Sequence, residues 1–431
     1  MVTTLSRPAL PVSSPEVGLR ERRYWQNMIG LGAAAALGLG MILVVGLDGR
    51  PTWAALRASL AAVVALMAAT AARRLPRLGA AGVLLATGVV ASPVALTIGL
   101  KYWTRTGIST RAAGGLVASL GAMVLLGLGV WLVLRAARWW GRFLAVPTVA
   151  VLGFFVAMPV VGAVYATNLP RPALGTQTPA DRGLAYRDVS FLTSDGVRLS
   201  GWYIPSTNRA AVALLHGASE TRSNVLGQAV VLARHGYGVL LFDARGHGRS
   251  GGRAMDFGWY GDRDVAAAVR WLQSRPDVDP SRIGAVGMSM GGEEAVGAMP
   301  AVPGLRAVVG EGVTGRVAGD HAWLSDRYGV QGSVTQWSHD VTYGIAGLLT
   351  DASEPATLRS AVAAAHRPVL LMAAGTVKDE GYADAYIRGG SPGTVQVWVV
   401  PGASHTSGLR TAPVQWEQHV ITFLDQALLR K

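Results

Sequence analysis

The chain has 431 residues, of which 50% are hydrophobic and only 15% are charged, and it contains no cysteine. This composition is too apolar for an ordinary soluble protein, and the lack of cysteine excludes disulfides, thiol catalysis and cysteine-ligated metal. The net charge of +13 belongs to the first part of the chain, because residues 1–171 hold 16 Lys and Arg against 3 Asp and Glu, whereas residues 172–431 hold 23 of each. These basic residues form short clusters between long apolar runs, a pattern typical of membrane-protein loops and not of a nucleic-acid-binding face.

Five apolar runs reach or approach the roughly 20 residues that cross a bilayer as a helix. The second run contains Arg57, whose long side chain can reach the interface from near the end of a span. The runs predict a multi-pass anchor whose partner is the lipid bilayer. A transport or lipid-handling role is the alternative, and the lack of ionisable residues deep in the spans argues against it. The runs are residues 28–47, 53–72, 78–100, 115–134 and 143–166.

The basic residues between the runs predict the orientation of the anchor. Ten lie on the side of the N-terminus and four on the other side. Positive residues are enriched in cytoplasmic loops, so the N-terminus is expected in the cytoplasm of a cell-membrane protein. Five spans then place the C-terminal part outside the cytoplasm. If the second run does not insert, that part lies inside.

The C-terminal part follows a proline-rich linker, residues 168–184, so the predicted domains are residues 1–167 and 185–431. Strand patterns there alternate with helical patterns, which predicts a mostly parallel sheet covered on both faces. Ligands of such sheets bind at the carboxyl ends of the strands. Helices are predicted at residues 224–235, 260–273, 291–299 and 414–429, with a helical excursion at 315–365. Strands are predicted at residues 188–193, 197–205, 210–215, 237–242, 283–288, 305–310, 368–374 and 395–400.

The segment Gly287-Met288-Ser289-Met290-Gly291 reads as a strand that breaks and restarts as a helix. A GxSxG sequence at such a turn forces the serine into a strained conformation and projects its hydroxyl above the sheet edge. Ser289 is therefore a candidate nucleophile. In a chain with 55 glycines the motif alone is weak evidence.

Further motifs stand at successive strand ends: His216-Gly217, the loop from Asp243 to Ser250, an acidic loop after residue 374, and Pro401-Gly-Ala-Ser-His405. Together with the GxSxG segment, they resemble the α/β hydrolase superfamily over residues 185–431. The resemblance implies a doubly wound sheet with a small helical cap near residues 315–365. It also implies a serine hydrolase that cleaves an ester, thioester or amide without a cofactor or metal.

The resemblance also assigns the site, in the family order serine, acid, histidine. Ser289 matches the nucleophile and His405 the general base. Asp379 and Glu380 are alternatives for the acid, and the family spacing slightly favours Asp379. The oxyanion hole is expected at the backbone N–H groups of Ala218 and Met290.

One alternative of a different class is a non-enzymatic binding or scaffold protein that keeps the hydrolase fold. A broken triad would indicate it, and the triad residues are all present here. The aromatic residues of the excursion, Trp323, Tyr328, Trp337 and Tyr343, could line an acyl pocket or simply pack the cap.

Overall fold

The computed structural model describes residues 15–45, 51–136, 138–168 and 170–430. The chain forms two compact units, Met1–Ala157 and Met158–Lys431. The boundary lies about ten residues before the predicted linker, because the last turns of a long helix belong to the second unit. The last two residues of the first predicted apolar run, and residue 169 of the predicted linker, lie outside the described residues.

Long helices carry the apolar runs of the first unit. By length and composition, four described stretches can cross a membrane: Tyr24–Val44, Ala54–Arg74, Arg77–Thr106 and Thr110–Ala136. The fifth predicted run lies in α5, where the described apolar stretch is the shorter Gly153–Asn168. The helices are α1 Pro15–Val45, α2 Pro51–Arg74, α3 Arg77–Thr106, α4 Thr110–Ala136 and α5 Trp139–Asn168, the last of which continues into the second unit.

Small residues let the first-unit helices approach closely. A Cβ atom on Gly40 of α1 would lie 2.4 Å from the carbonyl oxygen of Gly114 on α4. A Cβ atom on Gly115 would lie 2.5 Å from the Cα atom of Gly99 on α3. Apolar side chains gain little by leaving lipid for a helix interface, so close contact through small residues is the usual way that membrane helices associate.

The second unit is built around one eight-stranded sheet in the order β1-β2-β4-β3-β5-β6-β7-β8. The first two strands pair antiparallel, β2 also pairs antiparallel with β4, and the remaining pairs are parallel. Every strand end lies within two residues of its predicted position. The strands are β1 Arg187–Leu192, β2 Arg198–Ile204, β3 Ala211–Leu215, β4 Gly238–Phe242, β5 Ile283–Met288, β6 Ala307–Glu311, β7 Val369–Ala374 and β8 Val395–Val400.

Helices cover both faces of the sheet, as the alternating pattern predicts. Those packed on one face contribute residues such as Leu232 and Trp416 to the core, and those on the other contribute Leu272 and Val296. Two helices were missed: α11, because the segment after β7 was interpreted only as an acidic loop, and the four-residue α12 that follows His405. The helices are α6 Leu226–Arg234, α7 Gly261–Gln273, α8 Met290–Ala298, α9 Trp323–Leu349, α10 Leu358–Ala365, the missed α11 Lys378–Arg388, α12 Gly408–Thr411 and α13 Pro413–Leu424.

The predicted helical excursion consists of α9, preceded by a short 3-10 turn, and α10. In α10, Leu358 and Val362 pack into the core beside the sheet. The part that stands apart as a cap is therefore α9, which bends at Gly329, where φ is 56° and ψ is −130°. This helix carries all four aromatic residues named above, of which Trp323 and Tyr343 are buried and Tyr328 and Trp337 are exposed.

Candidate active site

Ser289 stands between β5 and α8 in a strained conformation, with φ 51° and ψ −122°. The turn is tight on both sides of the serine. A Cβ atom on Gly287 would lie 2.3 Å from the carbonyl oxygen of Gly291, and a Cβ atom on Gly291 would lie 2.6 Å from that of His216. Only glycine fits at these two positions, so the GxSxG sequence forms the sharp turn that the motif predicts.

Ser289, His405 and Glu380 form a continuous hydrogen-bonded series. The Oγ atom of Ser289 is 3.0 Å from Nε2 of His405, and Nδ1 of His405 is 2.7 Å from Oε1 of Glu380. Glu380 is 1% exposed, and its second oxygen accepts a hydrogen bond of 2.7 Å from the backbone N–H of Ala374. With Nδ1 protonated toward the carboxylate, Nε2 is free to accept the serine proton. This is the arrangement in which a histidine acts as general base.

The carboxylate of Glu380 also favours the protonated form of His405. Its hydrogen bond to the imidazole raises the pKa of His405, although partial burial acts in the opposite direction. The protonated form of this imidazole is therefore stabilised. Space for the ring comes from Gly312, because a Cβ atom there would lie 2.9 Å from Cε1 of His405.

The slight preference for Asp379 as the acid does not agree with this geometry. Asp379 is exposed and accepts a hydrogen bond of 2.7 Å from the hydroxyl of Tyr328 on the cap. The reason is the missed helix α11, which turns Asp379 outward and Glu380 inward. Helical spacing of the inward residues was a sequence signal that could have separated the two carboxylates. The buried residues of α11 are Glu380, Ala383, Asp384 and Ile387.

The two backbone N–H groups predicted for the oxyanion hole lie at the expected element ends. Met290 is the first residue of α8, and Ala218 follows β3 in an exposed turn. Among the described residues, neither N–H donates to another protein group. Both are thus available to an incoming oxygen, while their role stays a prediction.

His216 holds the turn before Ala218. Its Nδ1 atom contacts the carbonyl oxygen of Gly217 at 2.8 Å, and Nε2 accepts the backbone N–H of Ala244 at 3.0 Å. Burial lowers the pKa of His216 to about 4, so the ring is neutral near pH 7. Glu220, which sequence reasoning missed, accepts the N–H of Gly217 at 3.0 Å. The turn beside the candidate oxyanion hole is fixed from both sides.

The carboxylates of two buried acids support the site without bonding to the serine or the histidine. Glu311, at the end of β6, accepts the N–H of Gly408 at 2.6 Å and Nε1–H of Trp416 at 2.8 Å. It therefore fastens the segment after His405 to the sheet. Glu293 of α8 accepts hydrogen bonds from the backbone N–H groups of Thr314 and Gly315. These bonds tie the loop after β6 to α8. Burial raises the pKa of Glu293 and of Glu311.

The end of α5 forms an apolar wall beside the serine. Ala166 packs with Met255 and Met290, and Tyr165 borders the same cluster. The hydroxyl of Tyr165 lies 3.4 Å from Oγ of Ser219, the residue after Ala218. Sequence analysis missed this wall because it assigned these residues only to the fifth apolar run. Among the described residues, no cluster of His, Asp and Glu side chains is suited to hold a metal ion.

Comparison with known families decides the classification. The model of the X-Pro dipeptidyl-peptidase (S15) family matches residues 152–402, more than half of the chain, and this span includes Ser289 and Glu380. The chain belongs to the S15 family. Membership in S15 confirms that the second unit is a hydrolase of the α/β hydrolase superfamily, as the ordered motifs implied. His405 lies shortly beyond the matched residues.

Individual relatives of this S15 protein match parts of it. An uncharacterized protein of Mycobacterium tuberculosis is 39% identical over 163 residues, which are 36% of this chain and 57% of that protein. A thiohydrolase of Aspergillus aculeatus is 37% identical over 117 residues, 26% of this chain and 37% of that protein. A solved esterase of Pyrococcus furiosus is 26% identical, with a TM-score of 0.48 over 60% of this chain and 97% of that one. The chain thus spans about half the length, or less, of the curated relatives it matches.

Proposed function

We propose that this protein is a membrane-anchored serine hydrolase that cleaves a carboxylic ester, thioester or amide through an acyl-enzyme on Ser289. The observation that carries the proposal is the series from Ser289 through His405 to the buried Glu380, at 3.0 and 2.7 Å. A turn with only a structural role would not require the strained serine and the buried carboxylate to contact the same imidazole. The match to the S15 family and the hydrolase fold support the same reaction class.

The residues account for both halves of the reaction. Oγ of Ser289 attacks the carbonyl carbon of the substrate while Nε2 of His405 takes the hydroxyl proton. The resulting oxyanion accepts hydrogen bonds from the backbone N–H groups of Met290 and Ala218. When the tetrahedral species collapses, the bond to the leaving group breaks and His405 protonates that group. A water molecule then loses a proton to His405 and attacks the acyl carbon, which releases the acid and restores the serine. Glu380 holds the imidazole in position throughout.

The apolar helices support membrane anchoring. Four described stretches are long and apolar enough to cross a bilayer. If the fifth run, in α5, also crosses, the charge bias favours a second unit outside the cytoplasm, and with four spans it favours the inside. The apolar wall of Tyr165, Ala166 and Met290 favours an acyl group that is itself apolar. The name of the thiohydrolase relative keeps thioesters among the substrates to be assayed.

Labelling with a fluorophosphonate probe tests the nucleophile. The probe should label the wild-type chain and a Ser333→Ala control, in which an exposed serine of α9 is removed. Labelling should be absent from Ser289→Ala and strongly reduced in His405→Ala. Undiminished labelling of Ser289→Ala would overturn the proposal, and undiminished labelling of His405→Ala would remove the histidine from the mechanism.

A second candidate, cleavage after an Xaa-Pro dipeptide, follows from the description of the matching family. An Ala-Pro p-nitroanilide assayed beside p-nitrophenyl esters separates the two. Turnover of the anilide at a rate similar to that of the esters would favour the peptidase. Turnover of the esters alone would favour the esterase.

A further inference from the structure

The cap helix α9 has two apolar faces, and one of them is largely exposed among the described residues. Beyond the bend at Gly329, the helix runs on to Leu349. Its inner face is buried, because Tyr343 and Ala346 pack with Trp259 and Val317. Stacking of His321 on His339 adds to the same layer. This inner face accounts for how the cap is attached to the rest of the unit.

The opposite face consists only of apolar residues. They recur every three or four positions, which places them in one line along a helix of about 3.6 residues per turn. Four of them are strongly exposed: Val330 at 82%, Val334 at 41%, Trp337 at 46% and Leu348 at 70%. We call this line the outer stripe, and its members are Val330, Val334, Trp337, Val341 and Leu348. Ile345 falls on the same line but is half-buried and packs against the inner cluster.

Water is a poor solvent for such a face. An ordinary surface helix directs polar residues outward, and a contiguous apolar patch on a soluble surface marks an interaction site. Here the polar residues, including Ser333, Ser338 and Asp340, flank the outer stripe. An apolar line bordered by polar flanks, with a tryptophan in the middle, is typical of a helix that lies in a membrane interface.

The attachment of α9 indicates which partner covers the stripe. A Cβ atom on Gly162, near the end of α5, would lie 3.2 Å from Cγ2 of Thr342 on α9, and Ala163 belongs to the apolar cluster of Tyr343 and Ala346. One turn before Gly162, Met158 is exposed in the apolar part of α5. The cap helix is thus packed directly on the end of the fifth apolar run, in the part of α5 that belongs to the second unit.

We propose that the outer stripe of α9 docks on the lipid bilayer, with its apolar side chains at the boundary between headgroups and acyl chains. The stripe itself carries no charged side chain, and its one hydrogen-bonding group is the indole N–H of Trp337, a residue type enriched at membrane interfaces. An apolar helix of the same chain leads directly to the cap. The inference rests on the proposed membrane attachment but not on the hydrolytic chemistry. Docking in this position brings the cap, and the unit that carries the site, to the surface that holds lipophilic esters.

The absence of native cysteine permits a direct test in the full chain. Single nitroxide labels are placed at Val334→Cys on the outer stripe, at Thr335→Cys, an adjacent exposed position off the stripe, and at Leu120→Cys, an exposed position of α4. Leu348→Cys serves as a second stripe position if Val334→Cys does not fold. In vesicles of phosphatidylcholine and phosphatidylglycerol, power saturation compares exposure of each label to oxygen, which concentrates in lipid, and to a water-soluble nickel chelate.

The stripe label should resemble the Leu120→Cys label, with oxygen exposure exceeding nickel exposure, while the Thr335→Cys label shows the reverse. A stripe label that resembles Thr335→Cys, while Leu120→Cys reports lipid, would overturn docking and leave the anchor intact. Spin–spin broadening between stripe labels would assign the face to a second copy and also overturn it. If Leu120→Cys itself reports water, the proposed anchoring fails, and docking fails with it.

Discussion

Glu380 holds His405 with one carboxylate oxygen, at 2.7 Å from Nδ1, and is itself held by the backbone N–H of Ala374 through the other oxygen. The imidazole is therefore positioned from a buried carboxylate that is tied to the end of β7. The neighbouring carboxylate, Asp379, instead contacts Tyr328 on the cap. This difference between two adjacent acids can be tested by paired substitutions.

Glu380→Gln should reduce kcat by about 10² to 10⁴-fold, because the amide no longer stabilises the imidazolium or fixes its tautomer. Asp379→Asn should leave kcat for a soluble p-nitrophenyl ester nearly unchanged. Steady-state kinetics on both variants in detergent provide the comparison. A larger loss of kcat in Asp379→Asn than in Glu380→Gln would identify Asp379, which family spacing favours, as the acid.

The pH dependence of kcat/KM should report His405. The base must be neutral to accept the serine proton, so activity falls as pH drops through the His405 pKa, which Glu380 raises. Removing that carboxylate lowers the pKa, and the acidic limb of Glu380→Gln should move to lower pH. A limb that stays at the same pH in Glu380→Gln would contradict the hydrogen bond as the cause of the shift.

The raised pKa of His405 also makes the stability of the folded protein depend on pH. A histidine with a raised folded pKa stabilises the folded state fully below its unfolded pKa of about 6.5, and this contribution is lost as pH rises through the folded value. The effect is small because the His405 side chain is 49% exposed.

Gly312→Ala should impair catalysis by crowding the imidazole. The added Cβ would lie 2.9 Å from Cε1 of His405, and the backbone at Gly312 has φ of 71°. Displacing the ring from Ser289 should lower kcat by about 10²-fold with little change in KM. The matched control is Gly381→Ala in α11, where a Cβ meets nothing within 4 Å. Equal kinetics in the two variants would show that Gly312 does not make room for the histidine.

Asp384 should make the protein less stable as pH rises. It is fully buried one turn after Glu380, and neither carboxylate oxygen has a hydrogen-bond partner among the described residues. Burial, and then the charge of Glu380, raise its pKa well above the usual value. The unfolded chain therefore binds fewer protons above about pH 4, so the contribution of Asp384 to the free energy of unfolding declines as pH increases.

Asp384→Asn should remove this part of the pH dependence. Thermal unfolding of the full chain in detergent at pH 5 and pH 8 measures it, with the exposed Asp340→Asn as control. Wild type and the control should lose more stability between the two pH values than Asp384→Asn. Identical losses in all three proteins would show that Asp384 does not titrate as described.

Sequence analysis predicted the sheet and the sharp turn at Ser289 because their signals are local. The central strands β3, β4, β5 and β7 are continuous apolar runs between turn residues, and the glycines around Ser289 are required by close backbone contacts. The choice between Asp379 and Glu380 depended on recognising a short helix with a weak pattern. Without α11, nothing indicated that the side chain of Glu380 points inward. The wall of Tyr165 and Ala166 depended on a contact between distant segments, which spacing along the chain does not reveal.

The central claim is that an acyl group is carried by Ser289, and mass spectrometry of the trapped enzyme tests it most directly. After brief reaction with a p-nitrophenyl ester and acid quenching, trypsin releases residues 283–306 as one peptide, since no Lys or Arg lies between Arg282 and Arg306. The account predicts that this peptide gains the mass of the acyl group at Ser289 in wild type and not in Ser289→Ala, which should also lack turnover. Undiminished turnover in Ser289→Ala, or an acyl group on another residue, would contradict it.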